Sequence, residues 1–135
     1  MDASIIVCTY NRADSLKETL HALQRQELLT ILHEWEVIVV DNNSNDHTRQ
    51  VVEDIQRRWS ILRYEFEESQ GLSFARNHGI ACAKGEIILF TDDDVLPEPT
   101  WLETTLLGME SYQACLLYTS PSPRDRTRPR MPSSA

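Results

Sequence analysis

Residues 86–94 read EIILFTDDD, an apolar run of strand length that ends in three consecutive aspartates. Continuous apolar runs of this kind are typical of strands that are covered on both faces of a parallel sheet. Residues 4–8 (SIIVC) and 36–40 (EVIVV) have the same character. Residues 62–67 (LRYEFE) alternate more strongly between apolar and polar, which indicates an edge strand. Together the four runs predict a mostly parallel sheet.

Apolar residues recur at helical spacing between these strands. Leu16, Leu20 and Leu23 form the first stripe, and Ser15 and Glu18 have the spacing of a capping box at its start. Three further stripes are Val51, Val52, Ile55 and Trp59; then Leu72, Ala75, Gly79, Ile80 and Ala83; then Trp101, Leu102, Thr105, Leu106 and Met109. We expect these residues to pack in the core.

The order of elements is therefore β-α-β-α-β-α-β-α. This order predicts an α/β doubly wound sheet with right-handed crossovers and helices on both faces. Gly85 suits the position just after the third helix, and Pro99 suits the start of the fourth. Trp35, Trp59 and Trp101 are expected to pack in the core.

Composition excludes several classes of protein. The 135 residues are 41% hydrophobic and 25% charged, with a net charge of −8, which is ordinary for a globular protein. An acidic chain is a poor match for non-specific nucleic-acid binding. No apolar run approaches the roughly 18 residues of a membrane span, and no secretory signal is visible at the start. We therefore expect no nucleic-acid partner, no membrane span in this chain, and a location in the cytoplasm or peripheral to the membrane.

Neither the cysteines nor the histidines have the spacing of a metal site. The residues concerned are Cys8, Cys82 and Cys115, with His21, His33, His47 and His78. The cysteines are odd in number and form no CxxC pair, so we expect neither a disulfide framework nor a cysteine zinc site. We expect each histidine to have a surface or helix-packing role.

Composition changes abruptly near Ala114. Residues 115–135 hold four of the six prolines, four of the eleven arginines and a single acid. Such a segment buries too little apolar surface to offset its ordering entropy. It can be a basic tail for an anionic partner, a disordered end, or non-native sequence, since CLLYTSPSPRDRTR resembles translated adaptor or vector read-through. We favour the last, and predict a partial domain over residues 1–114 and a disordered, non-native tail over 115–135.

Polar residues follow all four predicted strands: residues 9–12 (TYNR), 41–46 (DNNSND), 68–73 (ESQGLS) and 92–94 (DDD). Open α/β sheets bind ligands at the carboxyl ends of their strands. The chain has neither GxGxxG after its first strand nor GxxxxGK[ST], which disfavours a dinucleotide site and a P-loop.

Three of these polar groups point to specific chemistry. Asp92 and Asp94 lie on the same side of an extended chain and are suited to Mg²⁺ or Mn²⁺, or else form a solvated acidic turn. Asp41 can accept hydrogen bonds from a nucleobase or ribose, or else forms an Asx turn or helix cap. Arg76 can face a diphosphate, or else is an exposed surface residue.

Taken in order, SIIVCTYNR, EVIVVDNNSNDHT, ESQGLSFARNHGIACAKGEIILFTDDD and LPEPTWLE resemble the N-terminal half of a family 2 glycosyltransferase. The resemblance covers nearly all of residues 4–107. It implies a truncated, open, mostly parallel Rossmann-like sheet of the GT-A type. It also implies inverting transfer of a sugar from a nucleotide-diphosphate donor, with a UDP-sugar as the expected donor, to an acceptor that the sequence does not identify.

The resemblance also implies roles for individual residues. The turn beside the nucleoside corresponds to Thr9, Tyr10, Asn11 and Arg12, and the carboxylate that reads the base corresponds to Asp41. The segment that lines the donor pocket corresponds to Gln70, Gly71, Ala75, Arg76 and Asn77. The DXD motif corresponds to Asp92, Asp93 and Asp94. The acids of that motif contact the ribose and hold Mn²⁺ or Mg²⁺, with Asp92 and Asp94 as the metal ligands. In the family's strand order, Thr9, Asp41 and Asp92 converge.

The family's general base belongs to an acceptor-binding second half that nothing after Ala114 resembles. The chain is therefore expected to bind the donor and to be inactive alone. Two alternatives are a nucleotidyltransferase-like enzyme and a receiver-like binding module. The first usually has a basic, Gly-rich first loop, and the second needs an acidic pair after the first strand; this sequence has neither.

Overall fold

The computed structural model describes residues 3–27, 34–112 and 118–119. The elements are β1 (Ala3–Thr9), α1 (Ala13–Gln24), β2 (Trp35–Asp41), α2 (Thr48–Gln56), β3 (Leu62–Phe66), α3 (Leu72–Cys82), β4 (Ile87–Asp92), α4 (Trp101–Tyr112) and β5 (Tyr118–Thr119). They form one sheet in the order β3-β2-β1-β4-β5, in which the first four strands are parallel and β5 is antiparallel to β4. The predicted α/β class and the edge position of β3 are confirmed, and β1, β2 and β4 lie side by side as the family resemblance implies.

The short strand β5 was not predicted and lies within the segment 115–135. The other residues of that segment lie outside the described residues, so the predicted domain boundary and the non-native tail stay predictions. In the described part of the chain, no helix is long and apolar enough to cross a membrane.

The central strands are apolar on both faces because both faces are covered. On one face Ile5 and Val7 of β1 pack with α1, α2 and α4. On the other face Ile6 of β1 packs with Ala75 and Ile80 of α3. Alternate side chains of a strand point to opposite faces, so a continuous apolar run is what this arrangement requires.

Two predictions for helix positions are wrong. Ser15 is not an N-cap: α1 begins two residues earlier at Ala13, and the Ser15 hydroxyl donates instead to the carbonyls of Asp93 (3.0 Å) and Arg12 (3.4 Å). Leu72 is not a core residue, since it is 55% exposed at the first position of α3. Leu72 has the helical spacing of the apolar stripe, but it is the first residue of α3 and it lines a cavity instead of packing in the core.

Gly85 has a different role from the predicted helix stop. Helix α3 ends at Cys82 with Ala83 as its C-cap, and Gly85 is two residues further on. A Cβ atom on Gly85 would lie 2.5 Å from the carbonyl carbon of Ala3. The backbone therefore approaches the start of β1 so closely that only glycine is accommodated without a shift.

Candidate functional site

The carboxyl ends of the three central strands lie side by side and in register. Thr9 pairs with Asp41 between β1 and β2, and Cys8 pairs with Asp92 between β1 and β4. This register confirms that Thr9, Asp41 and Asp92 converge at one edge of the sheet. It is the edge where open α/β sheets bind their ligands.

A cavity of about 510 Å³ opens at this edge, which is within the usual size range for a small-molecule site. Its lining residues are Cys8, Thr9, Tyr10, Arg12, Asn42, Gln70, Gly71, Leu72, Ala75, Asp92, Asp93 and Asp94. The cavity thus brings together most of the residues proposed from the sequence. Those proposed but not in the lining are Asn11, Asp41, Arg76 and Asn77.

The three aspartates at the end of β4 differ in exposure. Asp93 is buried, whereas Asp92 and Asp94 are exposed. Burial raises the pKa of the Asp93 carboxyl, and the positive charge of Arg12 partly offsets this rise. The Arg12 guanidinium lies 3.0 Å from Oδ2 of Asp94 and 3.5 Å from Oδ1 of Asp93. Because Arg12 is more than half exposed, these ion pairs contribute little to stability, and Arg12 can change partner easily.

The donor set at Asp92 and Asp94 is suited to a hard divalent cation. Both side chains offer exposed carboxylate oxygens beside the cavity, and such oxygens are the ligands that Mg²⁺ and Mn²⁺ prefer. Arg12 pairs with Asp93 and Asp94, and no ion pair of Asp92 is found among the described residues, so the carboxylates outnumber the guanidinium at this end of the cavity. The assignment of these two residues as metal ligands stays a prediction.

Cys8 and Thr9, at the end of β1, both line the cavity. The Thr9 hydroxyl lies near Asp93 but outside hydrogen-bonding geometry, and this buried oxygen has no hydrogen-bond partner among the described residues. Buried polar atoms rarely stay unpaired, so the hydroxyl is available to a ligand. Burial raises the pKa of the Cys8 thiol to about 12, which keeps the thiol protonated and unreactive at neutral pH.

Asn42 is a cavity residue that the sequence reasoning did not single out. Its Nδ2 donates to the carbonyl oxygens of Glu67 (3.3 Å) and Ser69 (2.8 Å), and its Oδ1 accepts from the backbone N–H of Gly71 (2.9 Å). These bonds shape the loop that brings Gln70 and Gly71 to the cavity. The available signal was its position directly after β2, in a segment interpreted as a turn or helix cap.

Asn11 connects two loops instead of lining the cavity. Its backbone N–H donates to Oγ of Ser44 (2.8 Å), and its Oδ1 accepts from the backbone N–H of Asn45 (2.6 Å). Asn11 and Asn43 have φ angles of 52° and 68°, in the left-handed region that asparagine tolerates better than most residues. The loops after β1 and β2 are therefore fixed to one another beside the cavity.

Asp41 lies inside the fold. It is 2% exposed; its Oδ1 accepts from the backbone N–H of Ser44 (3.0 Å), and its Oδ2 accepts from the hydroxyl of Tyr64 (2.7 Å). Burial raises the pKa of Tyr64, and the hydrogen bond to Asp41 raises it further. The predicted contact between Asp41 and a base stays a prediction, and in this structure each oxygen of the carboxylate already accepts one hydrogen bond.

Arg76 and Asn77 lie on α3 outside the lining of the cavity. The Arg76 guanidinium is centred 5.6 Å from the ring centroid of Phe90, and its charge lowers the pKa of Cys8 against the larger effect of burial. Asn77 is exposed. Arg76 therefore lies close enough to the cavity residue Cys8 to influence it electrostatically, without itself lining the cavity.

Comparison with known proteins identifies the class. Residues 4–135 match the family described as Glycosyl transferase family 2. The chain belongs to this family, which favours the glycosyltransferase interpretation over the nucleotidyltransferase and receiver alternatives.

Two curated relatives illustrate the similarity. The validoxylamine A glucosyltransferase of Streptomyces hygroscopicus subsp. jinggangensis is 39% identical over 105 residues, which are 76% of this chain and 24% of that protein. The cholesterol galactosyltransferase of Borreliella burgdorferi is 31% identical over 100 residues, 74% of this chain and 27% of that protein. The chain thus spans about a quarter of the length of these relatives.

Two solved structures have the same fold. S. aureus TarS 1–349 in complex with UDP is 32% identical, with a TM-score of 0.72 over 84% of this chain and 33% of that one. The mannosyltransferase PcManGT of Pyrobaculum calidifontis in complex with GDP-Man and Mn²⁺ is 32% identical, with a TM-score of 0.65 over 70% of this chain and 28% of that one. These similarities confirm the predicted GT-A type of sheet.

Proposed function

We propose that this chain is the donor-binding part of an inverting glycosyltransferase that uses a nucleotide-diphosphate sugar, with a UDP-sugar as the expected donor. The observation that carries the proposal is the single cavity where Thr9, Arg12 and the three aspartates meet Gln70 and Gly71. The UDP complex of TarS and the GDP-Man and Mn²⁺ complex of the Pyrobaculum enzyme support a nucleotide sugar and a divalent cation.

The charged residues of the cavity are suited to a diphosphate. We assign Asp92 and Asp94 to Mn²⁺ or Mg²⁺, and Asp93 together with the unpaired Thr9 hydroxyl to the donor's nucleoside part. A bound cation neutralises the charge that develops on the departing nucleoside diphosphate. Arg12 then exchanges its carboxylate partners for phosphate oxygens, which its exposed position allows.

The start of α3 adds a second favourable feature for a diphosphate. Gly71 and Leu72, the N-cap and first residue of this helix, both line the cavity. The partial positive charge of a helix N-terminus stabilises a phosphate placed there. Gly71 has a φ of 139°, which other residues rarely adopt, so the loop geometry depends on glycine at this position. Arg76 and Asn77, one turn further along, are proposed to line the donor pocket once a donor is bound.

The donor site accounts for only part of a transfer reaction. We propose that the general base and the acceptor-binding residues lie outside these 135 residues, because the chain spans about a quarter of its curated relatives' length. The chain alone is then expected to bind the donor without transferring the sugar. We also propose the location that the sequence predicts, in the cytoplasm or peripheral to the membrane.

The proposal is tested by isothermal titration calorimetry of the chain with UDP and with GDP, each in the presence of Mn²⁺ and then of a chelator. We expect saturable binding of UDP that the chelator abolishes, with weaker binding of GDP. A chain that is folded by circular dichroism and binds neither nucleotide would contradict the assignment of a donor site.

A further inference from the structure

A second group of ionisable side chains lies between the edge strand β3 and helix α3. One ligand atom from each of Glu65, His78 and Cys82 lies within 4.8 Å of the other two. Within this group, Oε1 of Glu65 is 3.2 Å from Nε2 of His78, and both side chains are about a quarter exposed. None of the three residues lines the donor cavity. In the described part of the chain, no other group of His, Cys and carboxylate side chains meets this distance criterion.

Glu67 orients the imidazole of this group. Its Oε1 is 2.9 Å from Nδ1 of His78, while its Oε2 accepts from the backbone N–H of Ser69 (2.9 Å). A histidine that binds a metal usually donates its other ring N–H to a carboxylate, which fixes the tautomer and the ring orientation. With Nδ1–H donated to Glu67, Nε2 lies 3.2 Å from Oε1 of Glu65, and a cation would bind Nε2 in place of its proton.

Regular secondary structure holds the three side chains in place. His78 and Cys82 are four residues apart on α3 and so lie on the same face of the helix. The guanidinium of Arg63 donates to the backbone carbonyl of Cys82 (2.9 Å) and to Oε1 of buried Glu36 (2.9 Å). The end of α3 is thereby tied to the sheet, so the spacing between the helix ligands and Glu65 on β3 does not depend on a loop.

We propose that Glu65, His78 and Cys82 form a binding site for a zinc-type divalent cation, with water as the fourth ligand. Thiolate, imidazole and carboxylate are the ligands that Zn²⁺ takes in proteins, whereas the all-oxygen site at Asp92 and Asp94 is suited to harder cations. The cation takes the place of the proton on Nε2 and of the thiol proton, so two protons are released to solvent.

The site has a structural consequence for the donor cavity. A bound cation joins β3 to α3, and the chain between them carries Gln70 and Gly71 into the cavity lining. The sequence predicted a surface or packing role for His78 and no cysteine zinc site, because the usual signal is a pair of closely spaced cysteines. Here the ligands come from two elements, and the half-buried His78 lies between two carboxylates.

The test is a titration of the metal-stripped full chain with Co²⁺, which replaces Zn²⁺ and gives a near-ultraviolet charge-transfer band when a thiolate binds it. The double variant Cys8→Ser/Cys115→Ser keeps Cys82 as its one cysteine and is expected to show this band at one Co²⁺ per chain. Addition of Zn²⁺ should remove the band, and Mg²⁺ in large excess should not. Cys82→Ser, checked for folding by circular dichroism, should lack the band.

A second pair of variants tests the orienting carboxylate. Glu67→Ala is expected to weaken Co²⁺ affinity by roughly 10- to 100-fold, as is usual when the partner of a ligating histidine is removed. Glu68→Ala, at the exposed neighbouring position, is the matched control and should bind Co²⁺ like the parent chain. No thiolate band in the double variant, or a band that persists in Cys82→Ser, would overturn the proposal. The readout involves no nucleotide, so it is independent of the donor-site assignment.

Discussion

The hydroxyl of Tyr64 donates a 2.7 Å hydrogen bond to Oδ2 of Asp41, and this bond occupies the carboxylate that the family resemblance assigns to the base. The other oxygen of Asp41 accepts from the backbone N–H of Ser44. Each carboxylate oxygen can accept a second hydrogen bond, so a nucleobase at Asp41 would either share Oδ2 with Tyr64 or replace Tyr64 as its donor. Because Asp41 is only 2% exposed, we expect replacement, in which Tyr64 competes with the base for this oxygen.

Tyr64→Phe separates stability from binding. Loss of the hydroxyl leaves a buried carboxylate oxygen without its partner and should lower the free energy of unfolding by about 1–3 kcal/mol. The same loss removes the competitor, so the affinity for UDP should rise roughly fivefold, equivalent to about 1 kcal/mol. Urea unfolding and calorimetry measure the two effects. An affinity that falls together with stability would show that Asp41 does not exchange Tyr64 for the base.

Asn42→Ala tests the residue that shapes the loop around Gln70 and Gly71. The substitution removes three hydrogen bonds to this loop and leaves a backbone N–H unpaired, so we expect a loss of about 2–3 kcal/mol in unfolding free energy and weaker UDP binding. Asn45→Ala, exposed in the same turn, is the control and should change stability by less than about 0.5 kcal/mol. Equal UDP affinities in both variants would contradict a role for Asn42 in forming the cavity.

The hydrogen bonds of Glu36 lead us to expect that the chain loses stability in acid. It is 2% exposed; burial alone would raise its pKa, but hydrogen bonds from Ser4, from the Lys84 N–H and from Arg63 outweigh burial and lower the pKa below the usual 4.5. A carboxyl whose pKa is depressed in the folded state contributes stability above its unfolded pKa and loses it as the pH falls through the folded pKa. The free energy of unfolding should therefore fall as the pH drops below about 4.5.

Glu36→Gln should remove this part of the pH dependence. It should also cost about 2–3 kcal/mol near neutral pH, less than for a fully buried ion pair because Arg63 is 30% exposed. Glu18→Gln, exposed on α1, serves as the control. Urea unfolding over a range of pH measures both variants. An unchanged acid dependence in Glu36→Gln would assign the effect to other carboxylates.

Two glycine-to-alanine substitutions are expected to change the free energy of unfolding in opposite directions. Gly85→Ala places a Cβ 2.5 Å from the backbone of Ala3 and should destabilise the fold by more than about 2 kcal/mol, since neither backbone can yield easily. Gly108 lies within α4, and a Cβ there meets nothing within 4 Å. Gly108→Ala should therefore stabilise the chain by about 0.5–1 kcal/mol. Thermal unfolding distinguishes the two, and a stable Gly85→Ala variant would contradict the close approach to β1.

The fold was predictable because the sequence carries three clear hydrophobic patterns. Continuous apolar runs marked the central strands, alternation marked the edge strand β3, and stripes at helical spacing marked the four helices. Helix ends were less predictable. Serine is a common N-cap residue and Ser15 has capping-box spacing, but α1 begins two residues before it, at Ala13. The role of Gly85 depends on an approach to Ala3, more than 80 residues away, which no local pattern encodes.

The site was predictable where residues directly end a strand. Thr9 and Asp92 lie in the cavity because parallel strands carry their last residues to one edge. The partners of a side chain were not predictable, because they come from distant segments: Tyr64 engages Asp41, and Asn42 connects to the loop before α3. The Glu65, His78 and Cys82 group was missed for the same reason.

The most direct test of the donor-site assignment is the affinity of the chain for UDP in the presence of Mn²⁺, measured by calorimetry for the parent chain and for Asp92→Asn, Asp94→Asn and Asp54→Asn. Asp54 is the control because it is an exposed carboxylate on α2 outside the cavity, and its ion pair with Arg57 (2.9 Å) is exposed and contributes little to stability. We expect the first two substitutions to weaken binding at least tenfold, and Asp54→Asn to bind as the parent chain does. Equal affinities in all four proteins, or equal losses in all three variants, would contradict a metal-dependent donor site at the end of β4.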